Sequence, residues 1–447
     1  MNLKYLFLIP VMLFLSQISI GQQKTNKPEC EKWFMDAGFG MFIHWSLDSQ
    51  LGAVISHSMA GASDDYLQRF VNELPKTFNP KKFDPEEWAV LAKMAGMKYV
   101  VFTTKHHSGF CMWDTKTTSF NIMNTPFKRD ITKEVFDAFR RQGIAVGIYF
   151  SPEDFHLLYQ KKIPIGRIQM SQHFPVNNPD LMALDKAQLK ELLTNYGKID
   201  LIFFDGPAEE LKEYAWKLQP AILVTRGHIQ TPEQTLPDKP IPGPWEACFT
   251  MGTDWQYKPT NDPHKSGTEI INMLIETRAK GGNLLLNVGP KPSGEIQIEQ
   301  EALLREIALW NMVNQEGITS IRPWETTKDG NVWFTKNGKT VYAFIQGGNN
   351  WKYGERKDFV FKTMVATDST KISILGYNSE LLEYKIDFDA SLRFSKSEVG
   401  LIISAVNGHR LYTNNQWNNP IVLKISNVNY KPLTNNKIEK LKIDGAL

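Results

Sequence analysis

The 447 residues carry 51 Lys and Arg against 48 Asp and Glu, a formal net charge of +3, with 42% hydrophobic and 22% charged residues. This is globular composition with material for a large core, and its weak net charge supplies no strong field for nucleic acid or an anionic membrane. Three cysteines cannot all pair, so a disulfide scaffold is excluded.

Residues 1–21 read as a secretory signal. Lys4 supplies the charge, Tyr5 to Leu15 the apolar stretch, and Ser19 and Gly21 the small residues before a cut. The expected destination is the periplasm or the medium, and no later stretch approaches a membrane span.

From residue 22 to about 325, apolar runs alternate with amphipathic segments. The runs predict strands over 40–44, 99–106, 145–151, 199–205, 221–226, 245–250 and 282–288. Helices are predicted over 85–95, 131–142, 186–196, 208–218, 268–280 and 299–314. Such alternation means a parallel sheet, and nearly 300 residues favour an α/β fold of the (β/α)8 TIM-barrel type over an open doubly wound sheet. From 326 to 447 the helices vanish. Short apolar runs punctuated by Gly, Asn and Asp predict an all-β sandwich.

In a barrel the chemistry gathers where strands end. Those ends carry His44 and Trp45, His106 and His107, Tyr149 and Ser151, Asp205, Arg226 and Asn287. Asp205 follows the apolar run Leu201 to Phe204 and precedes Gly206. A carboxylate leaving such a strand is hydrogen-bonded or used, or else it caps the helix that begins near Ala208. Glu246 stands beside Trp245. It is either an acid whose pKa an apolar pocket raises, or a partly exposed loop residue. Two carboxyls in unlike surroundings suit glycoside hydrolysis. Trp45, Trp113 and Trp255 are candidate sugar platforms or core residues.

The stretches GFGMFIHWS, KYVVFTTKHHSGF, RDITKEVFDAFRRQGIAVGIYFS, IDLIFFDG, WEACFTMGTDWQY and KGGNLLLNVGP resemble the α-L-fucosidases of glycoside hydrolase family 29, in order, over roughly Trp33 to Trp324. The resemblance implies an irregular (β/α) barrel, a C-terminal β-sandwich and a retaining double displacement on fucosylated glycans. It places the nucleophile on Asp205 and the acid/base on Glu246. It places the fucose pocket on His44, His106, His107 and Tyr149, with Trp45, Trp255 and Arg226 nearby, and implies no metal and no cofactor. Three departures stand out. Ser108 replaces an Asp, Gln256 separates Trp255 from Tyr257, and the segment Val54 to Asp65 is altered, leaving His57 as the candidate contact there.

Two rivals remain from the residues themselves. His44, His106, His107 and Asp205 can be drawn as ligands of a hydrolytic metal, although adjacent histidines on a strand point to opposite faces. A barrel that binds a glycan without turning it over is the other, and a related L-sugar is an alternative substrate.

Overall fold

A computed structural model describes residues 23–166, 170–347, 351–409 and 418–433. Residues 1–21, expected to be a secretory signal, lie outside them. Helix α1 (Pro28–Ala37) opens the fold and β1 (Phe39–Ile43) follows. Then come α2 (Asp64–Asn72), α3 (Pro85–Met94), β2 (Tyr99–Lys105), α4 (Ile131–Arg141), β3 (Ala145–Phe150), α5 (Phe155–Gln160), α6 (Pro179–Asn195), β4 (Leu201–Phe204), α7 (Glu209–Leu218), β5 (Leu223–Val224), β6 (Glu246–Thr250), α8 (Gly267–Ala279), β7 (Asn283–Val288) and α9 (Ile298–Asn314). The helices begin where short polar residues can satisfy their first N–H groups. Asp84, Asp130, Asp154 and Asn178 accept these at α3 to α6, and Ser266 with Glu269 forms a capping box on α8.

The strands make one seven-stranded sheet in the order β5-β4-β3-β2-β1-β7-β6, and every neighbouring pair is parallel. The sheet curls on itself. Phe42 of β1 meets Phe203 of β4 with ring centroids 5.1 Å apart, and the Tyr99 hydroxyl of β2 reaches Glu246 of β6 at 2.5 Å, across strands that are not neighbours.

The expected eight strands are not met among the described residues. Between β5 and β6 the chain runs as a loop. The carbonyls of Gln230 and Pro232 accept from the Glu246 and Cys248 N–H groups, and Gln234 N–H donates to the Cys248 carbonyl. Thr231-Pro232 has no donor at Pro232, and these few bonds do not grow into a strand. Helix α1, unanticipated from the sequence, sets Phe34 against Tyr99 at the strand-start end, ring centroids 5.5 Å apart.

Inside the curl, small residues make room for large ones. A Cβ on Gly40 would stand 2.4 Å from the Tyr99 ring; on the outer face, one on Gly282 would stand 2.3 Å from the Trp245 ring. Outside it, Lys105 is fully buried between Asp185 of α6 (2.9 Å) and Asp154 (3.4 Å), tying the end of β2 to the helical layer.

The remaining strands are antiparallel: β8 (Arg322–Asp329), β9 (Val332–Asn337), β10 (Thr340–Ile345), β11 (Arg356–Phe361), β12 (Met364–Ile374), β13 (Arg393–Ser397), β14 (Gly400–Val406) and β15 (Ile421–Tyr430). They form a five-stranded sheet, β12-β15-β10-β9-β8, and a three-stranded sheet, β11-β14-β13. Phe334 of the first sheet meets Phe361 of the second, centroids 5.7 Å apart. No described helix is long and apolar enough to cross a membrane.

The Gly40–Tyr99 packing is testable. Gly40→Ala should lower stability by about 1–3 kcal/mol through overpacking, read as a fall in the urea midpoint. An unchanged midpoint would show that the Tyr99 ring is free to move aside.

Candidate active site

The strand ends converge on a cavity lined by Phe42, His44, Ser56, His106, Tyr149, Phe203, Asp205, Arg226, Glu233, Cys248 and Trp255. Its centre is Asp205, the residue after β4. Tyr149 donates to Asp205 Oδ2 at 2.6 Å and Arg226 to Oδ1 at 2.9 Å, and His107 Nε2 stands 3.5 Å from Oδ2. Burial alone raises the pKa of this carboxyl. The charges of His107 and Arg226 and the two hydrogen bonds outweigh burial, so Asp205 is held below the ordinary carboxylate value. It does not serve as the cap of α7, which has no side-chain cap.

Arg226 is itself fixed. Its guanidinium lies over the Phe203 ring, 4.6 Å from the centroid, and its Nη2 donates to Glu233 at 2.9 Å. One planar cation therefore bridges Asp205 and Glu233, placing two carboxyls on one cavity. Glu233 is part exposed, with 43% of its side chain accessible.

The two histidines lining the cavity are neutral, and their tautomers follow from their partners. Asn287 donates its amide to the Trp255 carbonyl, so its Oδ1 is an acceptor, and His44 Nδ1 donates to it at 2.7 Å. His44 Nε2 is then an acceptor. His106 Nδ1 instead accepts the His107 backbone N–H at 2.9 Å, leaving Nε2–H as a donor. Burial lowers His44 to about 4 and His106 well below the usual histidine value. The His106 ring stacks on Tyr149 at 4.9 Å, and the His44 ring lies 4.9 Å from Trp255.

The structure thus brings together His44, His106, His107, Tyr149, Asp205, Arg226 and Trp255. His57 does not line the cavity. Its neighbour Ser56 does, and His57 lies close enough to act electrostatically on His106.

Two expectations fail. Trp45 is fully buried away from the cavity, packed on Phe78, Phe83 and Trp88, with its Nε1 donating to the Lys291 carbonyl. Side chains alternate along an extended chain, and the face opposite His44 meets the helices. Trp113 is likewise core.

Glu246 is the larger correction. It is the first residue of β6, paired with Asn283 at the start of β7, whereas the cavity lies where strands end. Cys248, two residues further along β6, lines the cavity, so Glu246 sits about 7 Å of strand below the cavity floor, beneath Cys248. It is fully buried and bonded to the Tyr99 hydroxyl, and burial raises its pKa to about 7. Trp245 packs into the outer core while Glu246 points inward to Tyr99, so the acid is not beside the indole but is a buried core group at the closed end.

Glu233 is the carboxyl that sequence reasoning missed. It belongs to no strand or helix. The available signal was an acid shortly after Arg226, in Thr231-Pro232-Glu233.

The adjacent histidines also depart from expectation. Strand β2 ends at Lys105, so His106 and His107 lie on a turn and both face Asp205's side of the cavity, ring centroids 4.6 Å apart. One ligand atom from each of His106, His107 and Asp205 lies within 4.8 Å of the others. These groups already have protein partners: His106 Nδ1 takes a backbone N–H, and the Asp205 carboxylate faces the Arg226 guanidinium, which opposes a metal cation.

Comparison with known proteins shows the family to which the chain belongs. The α-L-fucosidase family model matches residues 16–316. Mouse tissue α-L-fucosidase is 31% identical over 405 residues, 80% of this chain and 86% of the relative. Among solved structures, α-L-fucosidase isoenzyme 1 of Paenibacillus thiaminolyticus superposes with a TM-score of 0.69 at 27% identity, covering 90% of this chain and 99% of that one. An α-L-fucosynthase of Thermotoga maritima, solved with a fucosyl-α-1,2-fucosyl azide, gives 0.69 at 25% identity, covering 90% of this chain and all of the other.

Glu246 has a pH signature. Its folded pKa is raised, so the stability it contributes is complete below about 4.5 and is lost as pH rises through about 7. The loss is on the order of 3 kcal/mol. Glu246→Gln, which resembles the neutral acid, should flatten this part of the profile and gain stability relative to the parent at pH 8. Denaturant titrations at pH 5 and 8 check it, and parallel profiles would show that Glu246 does not change its proton between those values.

Proposed function

Because the chain belongs to the α-L-fucosidase family, we propose that it is an exo-acting, retaining α-L-fucosidase removing terminal α-L-fucose from fucosylated glycans, with Asp205 as nucleophile and Glu233 as acid/base. The observation that carries this reading is the ionised Asp205 sharing one guanidinium with a second carboxyl on the same cavity.

Fucose offers hydroxyls and a methyl group. The His44 Nε2 acceptor and the His106 Nε2–H donor suit a hydroxyl that donates and accepts at once, and Trp255 and Phe42 supply apolar surface for the methyl. Because both imidazoles are neutral, neither adds a charge that would compete with the positive charge developing at C1.

In the first step an Asp205 oxygen attacks C1, the bond from C1 to the glycosidic oxygen breaks, and the Glu233 proton passes to that oxygen. Tyr149 and Arg226 orient the carboxylate along its line of attack. Once Asp205 is an ester its charge is gone, and Arg226 faces Glu233 alone. That is when Glu233 must accept a proton from water, which then attacks C1 and releases Asp205. Retention fits carboxyls about 5–5.5 Å apart, with no water between them. The enzyme uses no cofactor. The leader would direct it to the periplasm or the medium, and the curled sheet and antiparallel sheets are read as an irregular barrel bearing a sandwich scaffold.

The decisive experiment gives purified residues 22–447 an aryl α-L-fucoside, 2′-fucosyllactose and an α-1,3/1,4-fucosylated trisaccharide, with proton NMR of the first anomer released. α-L-Fucose is expected, and release of the β-anomer or of nothing would refute the proposal. Asp205→Asn should abolish turnover on all three. Glu233→Ala should slow the natural glycosides by about 10²-fold or more while sparing activated aryl fucosides, whose leaving group needs little protonation. Equal losses on both would remove Glu233 from the acid role. Glu246→Ala, by contrast, should show no leaving-group dependence. A chelator should leave the rate unchanged.

A further inference from the structure

Next to the cavity, but walled off from it, three segments bring unpartnered oxygens together. Ser46, Asp48 and Ser49 follow β1, Ser58 lies in the loop that carries Ser56, and Gln256 follows Trp255. All are buried, at 2%, 0%, 0%, 7% and 2% exposure respectively. Both Asp48 carboxylate oxygens, the three serine hydroxyls and Gln256 Oε1 have no hydrogen-bond partner. Burial raises the Asp48 carboxyl to about 6, although Ser58, Gln256 and Ser46 stand close enough to pull it down. The Gln256 amide is oriented by its own bond, Nε2 donating to the Ala53 carbonyl at 2.7 Å, which fixes Oε1 as the free end. Among the described residues Asp48 has no ion-pair partner.

A buried carboxylate without bonds is costly and is normally paired, protonated or used on a metal. Here the surrounding groups are all oxygens: carboxylate, hydroxyl and amide carbonyl. Such a donor set suits a hard cation and not zinc or copper, which favour nitrogen and sulfur. The charge count is the second constraint. One carboxylate among neutral ligands is balanced by a single positive charge, whereas a divalent ion would leave a net charge in the interior.

We propose that Asp48, Ser46, Ser58 and Gln256 form a binding site for a monovalent hard cation, sodium being the probe of choice. The ion would tie the chain leaving β1 to the segment after Trp255. Those two segments carry His44, Ser56 and Trp255, three of the cavity walls, so occupancy would hold the sugar pocket in shape while touching no reacting atom. Ser58 lies in the stretch Val54 to Asp65 and Gln256 between Trp255 and Tyr257, two places that depart from the family pattern, and the test needs no catalytic activity.

The experiment is thermal unfolding of the full mature chain, exchanged into choline chloride and then titrated with NaCl, KCl or CaCl2 at constant ionic strength. Sodium should raise Tm by several degrees, saturably, relative to choline. Asp48→Asn should keep the fold by circular dichroism and abolish the sodium response. Should that variant fail to fold, Ser58→Ala, which removes one neutral ligand, should shift the half-saturating sodium concentration several-fold upward. Sodium that acts no better than choline would overturn the site and leave these oxygens to buried water. An undiminished response in both variants would also overturn it, and a response to calcium alone would overturn the monovalent assignment.

Discussion

The carboxylate of Asp205 is the constraint around which the site is arranged. It leaves an apolar strand into a cavity lined by aromatic rings, where an unpaired charge would be expelled or protonated. Three groups keep it ionised, and they come from three different strand ends: His107 after β2, Tyr149 in β3, and Arg226 after β5. None is near Asp205 in sequence. They meet because the parallel register sets strand ends level, with Phe150 opposite Phe204 and Ile202 opposite Val224. A slip of one residue in either pairing would turn the donor to the helical face.

Polarity along the interior of the sheet is graded. At the strand starts, Tyr99 donates to Glu246, and Arg278 spans the Ile318, Gly282 and Met35 carbonyls and the Asn283 side chain. Above them lies an apolar layer containing Val101, Leu201, Leu223, Cys248 and Leu285. The acids paired with a cation, Asp205 and Glu233 on Arg226, stand at the top. Two acids therefore have opposite fates. Desolvation wins at Glu246 over the Tyr99 bond and the pull of Arg226, and loses at Asp205, which Arg226 bonds directly and His107 and Tyr149 also face.

This grading explains what the sequence could disclose. Five of the strands that build the parallel sheet end in a polar residue after an apolar run, so His44, His106, Tyr149, Asp205 and Arg226 were readable as one set. Trp45 was drawn in by adjacency to His44, although alternation puts neighbouring residues on opposite faces. Glu246 was misplaced for a related reason. WEACFT is a strand with polar residues at both ends, and local pattern does not say which end is the open one. Its pairing with Asn283 decides that, and pairing is a long-range property. Glu233 left no periodic trace because it sits on a loop whose position depends on Arg226 and β6. The absence of an eighth strand among the described residues has the same origin: the segment from Gln230 to Gln234 meets the edge of β6 through three bonds only, a tertiary choice that propensity does not contain.

The change at Ser108 shows how the His106–His107 turn is held without an acid at that position. Gly109 has φ +82°, and a Cβ there would lie 2.3 Å from Asp154 Oδ1, so the Asp154 carboxylate rests against the turn itself. Asp154 also accepts the Leu157 N–H at the start of α5 and pairs with Lys105, the residue just before the turn. An acid at position 108, fully buried beside this group, would add another negative charge near Asp154 and Asp185 with only Lys105 to balance them. Burial together with Asp154 already raises Asp185 to about 7, even against the pull of Lys105. A neutral serine, accepting the Phe110 N–H at 3.4 Å, is thus the residue compatible with an anchor supplied from the β3–α5 side. The two imidazoles facing the cavity keep their orientation by a different route from the one the family motif suggests.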